Sequence, residues 1–143
     1  MAEVIRSVLV GYTPAQMFAL VDAVEDYPRF LPWCATAVVS HRDEQTTRAT
    51  IRIRYRGLSQ EFTTDNAKNP PEEMRLRLVE GPFRRLDGSW RFSALAEQGC
   101  KVELRLQYEF SSRMLEKLIG PVFDHIANTL VDAFAKQAEK VYG

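Results

Sequence analysis

The chain has 143 residues, 45% of them hydrophobic and 27% charged, with 19 Lys plus Arg against 19 Asp plus Glu. That length suits one domain, 1–143, around one core. The zero net charge excludes binding a polyanion by bulk charge, so only a local patch can do so.

Two cysteines, Cys34 and Cys100, are too few for a disulfide framework and lack the spacing of a zinc or redox site. They read as reduced, packed thiols in a cytoplasmic protein. The N-terminus is interrupted by Glu3 and Arg6, so it does not read as a secretory signal. No stretch reaches the roughly 20 apolar residues of a membrane span, so a lipid ligand is met from the water side.

In chain order, residues 3–10 predict a first strand. Thr13-Pro14-Ala15-Gln16 predicts a helix start: Thr13 caps, Pro14 suits the first helical position and Gln16 completes a capping box. Met17, Leu20, Val21 and Val24 then share one helical face. A short second helix is expected around Asp26 to Phe30, ended by Leu31-Pro32.

From Cys34 to Phe110 the period becomes two. Ala49, Ile51, Ile53 and Tyr55 alternate with Thr50, Arg52 and Arg54. Met74, Leu76 and Leu78 alternate with Arg75 and Arg77. Cys100, Val102, Leu104, Leu106, Tyr108 and Phe110 alternate with charged and amide residues. This is the pattern of antiparallel strands with one dry and one wet face. Turn signals at Asp43-Glu44-Gln45, Asn69-Pro70-Pro71, Gly81-Pro82 and Gln98-Gly99 divide the stretch into six strands, seven with the first.

The last 30 or so residues return to the helical period, about 45 Å of helix. Their stripe includes Leu115, Leu118, Ile119, Val122, Phe123, Ile126, Leu130 and Phe134. Gly120-Pro121 is expected to kink or interrupt it. The order predicts an α+β fold in which a curved seven-stranded antiparallel sheet wraps a long C-terminal helix, with two short helices after strand 1. A bent sheet around one helix rarely closes fully, so a cavity is expected between them.

Catalytic signatures are absent. His41 and His125 are isolated, Asp124 and His125 point apart on a helix, and no metal, nucleophile-elbow or phosphate-loop motif occurs. The reading is therefore a non-enzyme that needs no cofactor or metal. The inward face carries Leu31, Trp33, Phe62, Leu76, Leu78, Phe83, Trp90, Phe92, Leu106, Phe123, Ile126, Leu130 and Phe134, the candidate contacts for a hydrophobic small molecule. The wet face carries Arg48, Arg52, Arg54, Arg56, Arg75 and Arg77, a candidate RNA-binding face.

Tyr27-Pro28-Arg29-Phe30-Leu31-Pro32-Trp33-Cys34, Gly81-Pro82-Phe83, Gly88-Ser89-Trp90-Arg91-Phe92 and Phe62-Thr63-Thr64 together resemble the bacterial ribosome association toxin and coenzyme Q-binding START-domain family. The resemblance covers essentially the whole chain. It implies the START-like helix-grip fold of the polyketide cyclase superfamily, with a hydrophobic cavity. It also implies two functions. One is non-catalytic binding of ubiquinone or another isoprenoid lipid in support of respiration, with Leu31 and Trp90 at the positions that matter for the quinone. The alternative is a toxin of a toxin–antitoxin pair, which binds the large ribosomal subunit and blocks subunit association. Aromatase or cyclase activity follows only from superfamily kinship. Transient membrane-surface contact through an exposed Trp33 is a further expectation.

Overall fold

The computed structural model describes residues 2–96 and 99–143. Strand β1 (Ala2–Val10) leads into helix α1 (Pro14–Asp22) and a short 3₁₀ helix (Val24–Arg29). Strands β2 (Cys34–Arg42), β3 (Thr46–Tyr55), β4 (Leu58–Asn69), β5 (Glu73–Glu80), β6 (Phe83–Ala94) and β7 (Cys100–Phe110) follow, and helix α2 (Arg113–Tyr142) closes the chain. All pairings are antiparallel in one sheet of order β1-β7-β6-β5-β4-β3-β2. Of the predicted turns, Gln98 lies outside the described residues.

Local chemistry sets the boundaries. Thr13 accepts from the Gln16 amide, and Gln16 reaches back to the Thr13 amide at 2.9 Å, so the capping box is complete with Pro14 at the first helical position. Between β3 and β4, Arg56 (φ 50°) and Gly57 (φ 83°) form a two-residue turn with positive φ at both centres, which suits the right-handed twist of a hairpin. Arg56 therefore lies beyond the end of β3, and its guanidinium sits over the Tyr55 ring at 5.2 Å. This corrects the expectation that it continues the arginine row of that strand.

Helix α2 is capped by Ser112 and runs unbroken through Gly120-Pro121, where an interruption was an open expectation. Pro121 is exposed, while Gly120 is buried against the Phe110 ring, so packing on one side holds the helical path where the proline removes a hydrogen bond.

The inner face of the sheet carries the core. One line of paired residues crosses five strands: Val4, Leu106, Gly88, Leu76 and Asn66, then Thr47 on β3. Gly88 is required there, because a Cβ would lie 2.2 Å from the Arg105 carbonyl oxygen. Helix α2 packs chiefly on β1 and β7, and α1 on β6, β7 and α2. The far part of the sheet, β3 to β5, packs little against α2.

Two aromatic clusters fill most of the interior. Phe83, Tyr108, Phe110 and Phe123 form one, with centroids of 4.9 Å for Phe83–Phe123 and 4.7 Å for Tyr108–Phe123. Tyr27, Phe30, Trp90 and Phe134 form the other at 5.2–5.3 Å, with Phe92 stacked on Trp90. Edge-to-face geometry of this kind adds about 0.5–1.5 kcal/mol per pair beyond area burial. Much of the space in which a cavity was expected between sheet and helix is thus taken up by these rings.

A candidate ligand-binding seam between helix and sheet

Toward strands β3 to β5 the inward apolar face is only half covered, and this strip beside α2 forms a seam. Phe62, Leu76, Leu78 and Leu130 face inward yet remain half-buried, as do Ile51, Tyr55 and Val122. They line the space between α2 and strands β3 to β5. Across the mouth, His125 of α2 stacks on Tyr55 with centroids 6.2 Å apart and planes 17° from parallel. Phe62 meets Phe123 and Phe83 edge-on deeper in. Beside Phe62 lies a separate cleft of about 340 Å³ whose lining mixes Phe62, Pro82 and Leu115 with Gln60, Glu61 and Glu80.

The predicted contacts divide into two groups. Phe62, Leu76, Leu78 and Leu130 line the seam. Leu31, Trp33, Phe83, Trp90, Phe92, Leu106, Phe123, Ile126 and Phe134 are all buried in the core that backs it. Phe83 stacks on Phe110 at 5.0 Å and so forms a wall, not the open mouth. Trp33 is 7% exposed. That corrects the expectation of a membrane-facing indole: the residue is tucked under the sheet end, its carbonyl accepting from the Arg54 amide.

Six lining residues were outside the candidate set: Ile51, Tyr55, Thr64, Asn66, Val122 and His125. Thr64 and Asn66 share the parity of Phe62, so the signal was present, but their polarity masked it. Both are buried, and the Thr64 hydroxyl donates to Asn66 Oδ1 at 2.8 Å. Along the same face of β4, Lys68 binds Asp22 at 3.1 Å, and Thr47 donates to the other Asp22 oxygen at 2.8 Å. A polar ridge thus crosses an otherwise apolar floor and ends under the foot of α1.

The buried hydroxyl and thiol groups around the seam are engaged in hydrogen bonds or held protonated by burial. Tyr108 donates to Asp124 on the other side of α2, and its phenol is held above the usual range first by burial and then by that bond. Tyr27 donates to the Val21 carbonyl and is likewise raised by burial. Cys34 is pushed up to about 11 by burial, which leaves a protonated, unreactive thiol. Among the described residues no group of three or more His, Cys, Asp or Glu could hold a metal ion.

The wet face is more mixed than its arginines suggest. Arg48 pairs with Asp65 at 2.7 Å, Arg52 with Glu61 at 2.9 Å and Arg75 with Glu73 at 3.1 Å. Arg54 and Arg77 have no ion-pair partner among the described residues. A cleft of about 750 Å³ runs over this face, lined by Arg75, Arg77, Arg91 and Arg105 with Glu3, Asp65, Glu73 and Asp87. The expected basic face is therefore a lattice of paired charges with a few free guanidinium groups. Cross-strand neighbours explain the difference: β4 and β7 place acids opposite the arginines of β3 and β6.

Comparisons with known proteins agree with this architecture. The model of the family described as polyketide cyclase / dehydrase and lipid transport matches residues 10–135. The ribosome association toxin RatA of Vibrio cholerae is 43% identical over 143 residues, which is 100% of this chain and 99% of that protein. The mitochondrial coenzyme Q-binding protein COQ10 homolog B of Xenopus laevis is 28% identical over 99% of this chain and 59% of its own length. The Zhui aromatase/cyclase of Streptomyces sp. R1128 superposes with a TM-score of 0.83 over 99% of this chain and 96% of that one, at 15% identity, a likeness of fold alone. With the family model matching residues 10–135 and a relative 43% identical over nearly the whole of both chains, the chain belongs to the polyketide cyclase/dehydrase and lipid transport family.

Proposed function

We propose that this protein is a non-enzymatic binding protein that takes a prenylated ligand, ubiquinone or another isoprenoid lipid, into the seam between α2 and strands β3 to β5. The observation that carries the reading is the half-buried state of Phe62, Leu76, Leu78 and Leu130 on a face that should be dry. Apolar side chains left partly wet gain about 25 cal/mol per Å² when a hydrocarbon chain covers them. A flexible isoprenoid fits a long, narrow seam better than a rigid polycyclic substrate does. The buried hydroxyl and thiol groups around it, engaged or held protonated, argue for holding rather than transforming the ligand. The name of the Xenopus relative supports the quinone as the head group. The protein would work in the cytoplasm and pick its ligand from a membrane surface. The test is to extract the purified protein with organic solvent and analyse the extract by mass spectrometry. A prenylated quinone or related isoprenoid at near-stoichiometric yield is the expected result, and an extract free of any isoprenoid counts against the reading.

A second reading is favoured by the relatives named ribosome association toxin and by the outer sheet face. There the toxin activity resides in contact with the large ribosomal subunit. Arg54 and Arg77 are the guanidinium groups available to phosphate without breaking a pair, and Arg48, Arg52 and Arg75 exchange carboxylate partners for phosphate on docking. Sucrose gradients with added protein decide it. The expected outcome is co-sedimentation with the large subunit and fewer joined ribosomes, weakening steeply with salt. Unchanged subunit association and no co-sedimentation would remove it. The two readings use opposite faces of the sheet and do not compete for residues.

A further inference from the structure

The seam contains one polar feature that an isoprenoid chain does not need. Asn66 is 5% exposed and Thr64 8%, and both sit on the inner face of β4 among Ala49, Leu76 and Leu78. A buried amide is costly unless its hydrogen bonds are made. Here the Thr64 hydroxyl satisfies Asn66 Oδ1 at 2.8 Å and thereby fixes which way the amide points. Among the described residues nothing accepts from the Asn66 amide nitrogen, while no fully buried side-chain polar atom is left without a partner. The nitrogen is therefore not fully sealed in the core.

We propose that Asn66, oriented by Thr64, is the polar anchor of the seam and donates a hydrogen bond to a carbonyl or hydroxyl oxygen on the head of the bound ligand. The inference rests on the apolar-ligand reading above and adds a selectivity to it: among chains of equal length, the protein prefers those that end in an oxygen acceptor. A hydrophobic pocket by itself discriminates weakly between such ligands, whereas a buried donor that would otherwise face nothing discriminates more strongly. On the β5 side Asn66 is flanked by Leu76 and Leu78, and on the β3 side by Thr47, which with Lys68 already holds Asp22, so a charged head group finds no free counter-ion there.

The experiment is calorimetric titration of the purified, delipidated protein in a fixed non-ionic micelle with two probes: a ubiquinone carrying two isoprene units, and farnesene, an isoprenoid hydrocarbon without a head. In Asn66→Leu the quinone is expected to bind roughly 3- to 10-fold more weakly, the span of one net hydrogen bond, with farnesene unchanged or tighter. Thr64→Val keeps shape and volume but removes the orienting hydroxyl, and is expected to show a smaller loss in the same direction. It also decides the matter if Asn66→Leu does not fold. Equal loss for both probes, or no loss for either, overturns the anchor while leaving the seam as a binding site. A wild-type protein that binds neither probe overturns the seam reading and the anchor with it.

Discussion

His125 on α2 and Tyr55 at the end of β3 lie ring over ring, 6.2 Å between centroids and 17° from parallel. This stack spans the line between the long helix and the far half of the sheet. Its location makes it a clasp on the mouth rather than a core contact, because His125 is exposed and Tyr55 only half-buried. Substituting His125 by Ala should leave the midpoint of thermal unfolding within a few degrees of wild type, since surface changes typically cost about 0.5 kcal/mol or less. The same change should speed release of a bound short-chain ubiquinone several-fold, measured by stopped-flow dilution. Unchanged release would mean the ligand enters elsewhere.

A second prediction concerns the foot of α1. The Lys68 side chain is 5% exposed and Asp22 19%, and they meet at 3.1 Å with Thr47 on the other carboxylate oxygen. Removing one member of such a pair strands the other in a poorly solvated place. Asp22→Ala should therefore cost roughly 2–3 kcal/mol in urea unfolding, below the upper range for fully buried pairs because water reaches Asp22. Lys68→Met should cost less, as Asp22 keeps Thr47 and the nearby Arg42 at 4.0 Å.

The acid limb of stability has a defined sign. Glu25 is lowered chiefly by the hydrogen bond from Arg42, Asp65 by that from Arg48, and Asp43 to about 2 by His41. Folded-state values below the unfolded ones mean stability that is complete above about pH 5 and lost as the pH falls through the folded values. Thermal midpoints should fall below about pH 4. Arg42→Ala and Arg48→Ala should differ most from wild type at pH 7, and the difference should shrink by pH 3. A gap of constant size across that range would refute the linkage.

Thiol reactivity offers a simple check of packing. Cys34 and Cys100 are both buried and both raised by burial, so at pH 8 they should be mostly protonated as well as covered. The native protein should release almost no chromophore from an aromatic disulfide reagent within minutes, and two equivalents after unfolding. Rapid native labelling of either thiol would show that the core at that point is open.

Much of this architecture was legible in the sequence because its signals are local and periodic. The capping box at Thr13 and Gln16, the alternation from Cys100 to Phe110 and the long apolar stripe of α2 all act within a few residues, and each element formed where its pattern lay. What sequence could not give was set by pairing between distant strands. Whether Arg48 stands free depends on Asp65 arriving opposite it, and whether Phe83 is a mouth or a wall depends on Phe110 and Phe123. Thr64 and Asn66 illustrate the remaining gap: parity put them inside, but residue type argued for solvent, and only the assembled sheet shows that parity prevails.

Trp90, 2% exposed between Phe92 and Phe134, and Trp33 are the two tryptophans of the chain. With Trp33→Phe, Trp90 reports alone from the wall behind the seam. Titrating that variant with a two-isoprene ubiquinone should give quenching that saturates at one equivalent, because a quinone held in the seam lies close to the indole. Quenching that grows only linearly with concentration, as it does for free indole in solution, would contradict the claim that this fold holds a quinone beneath its long helix.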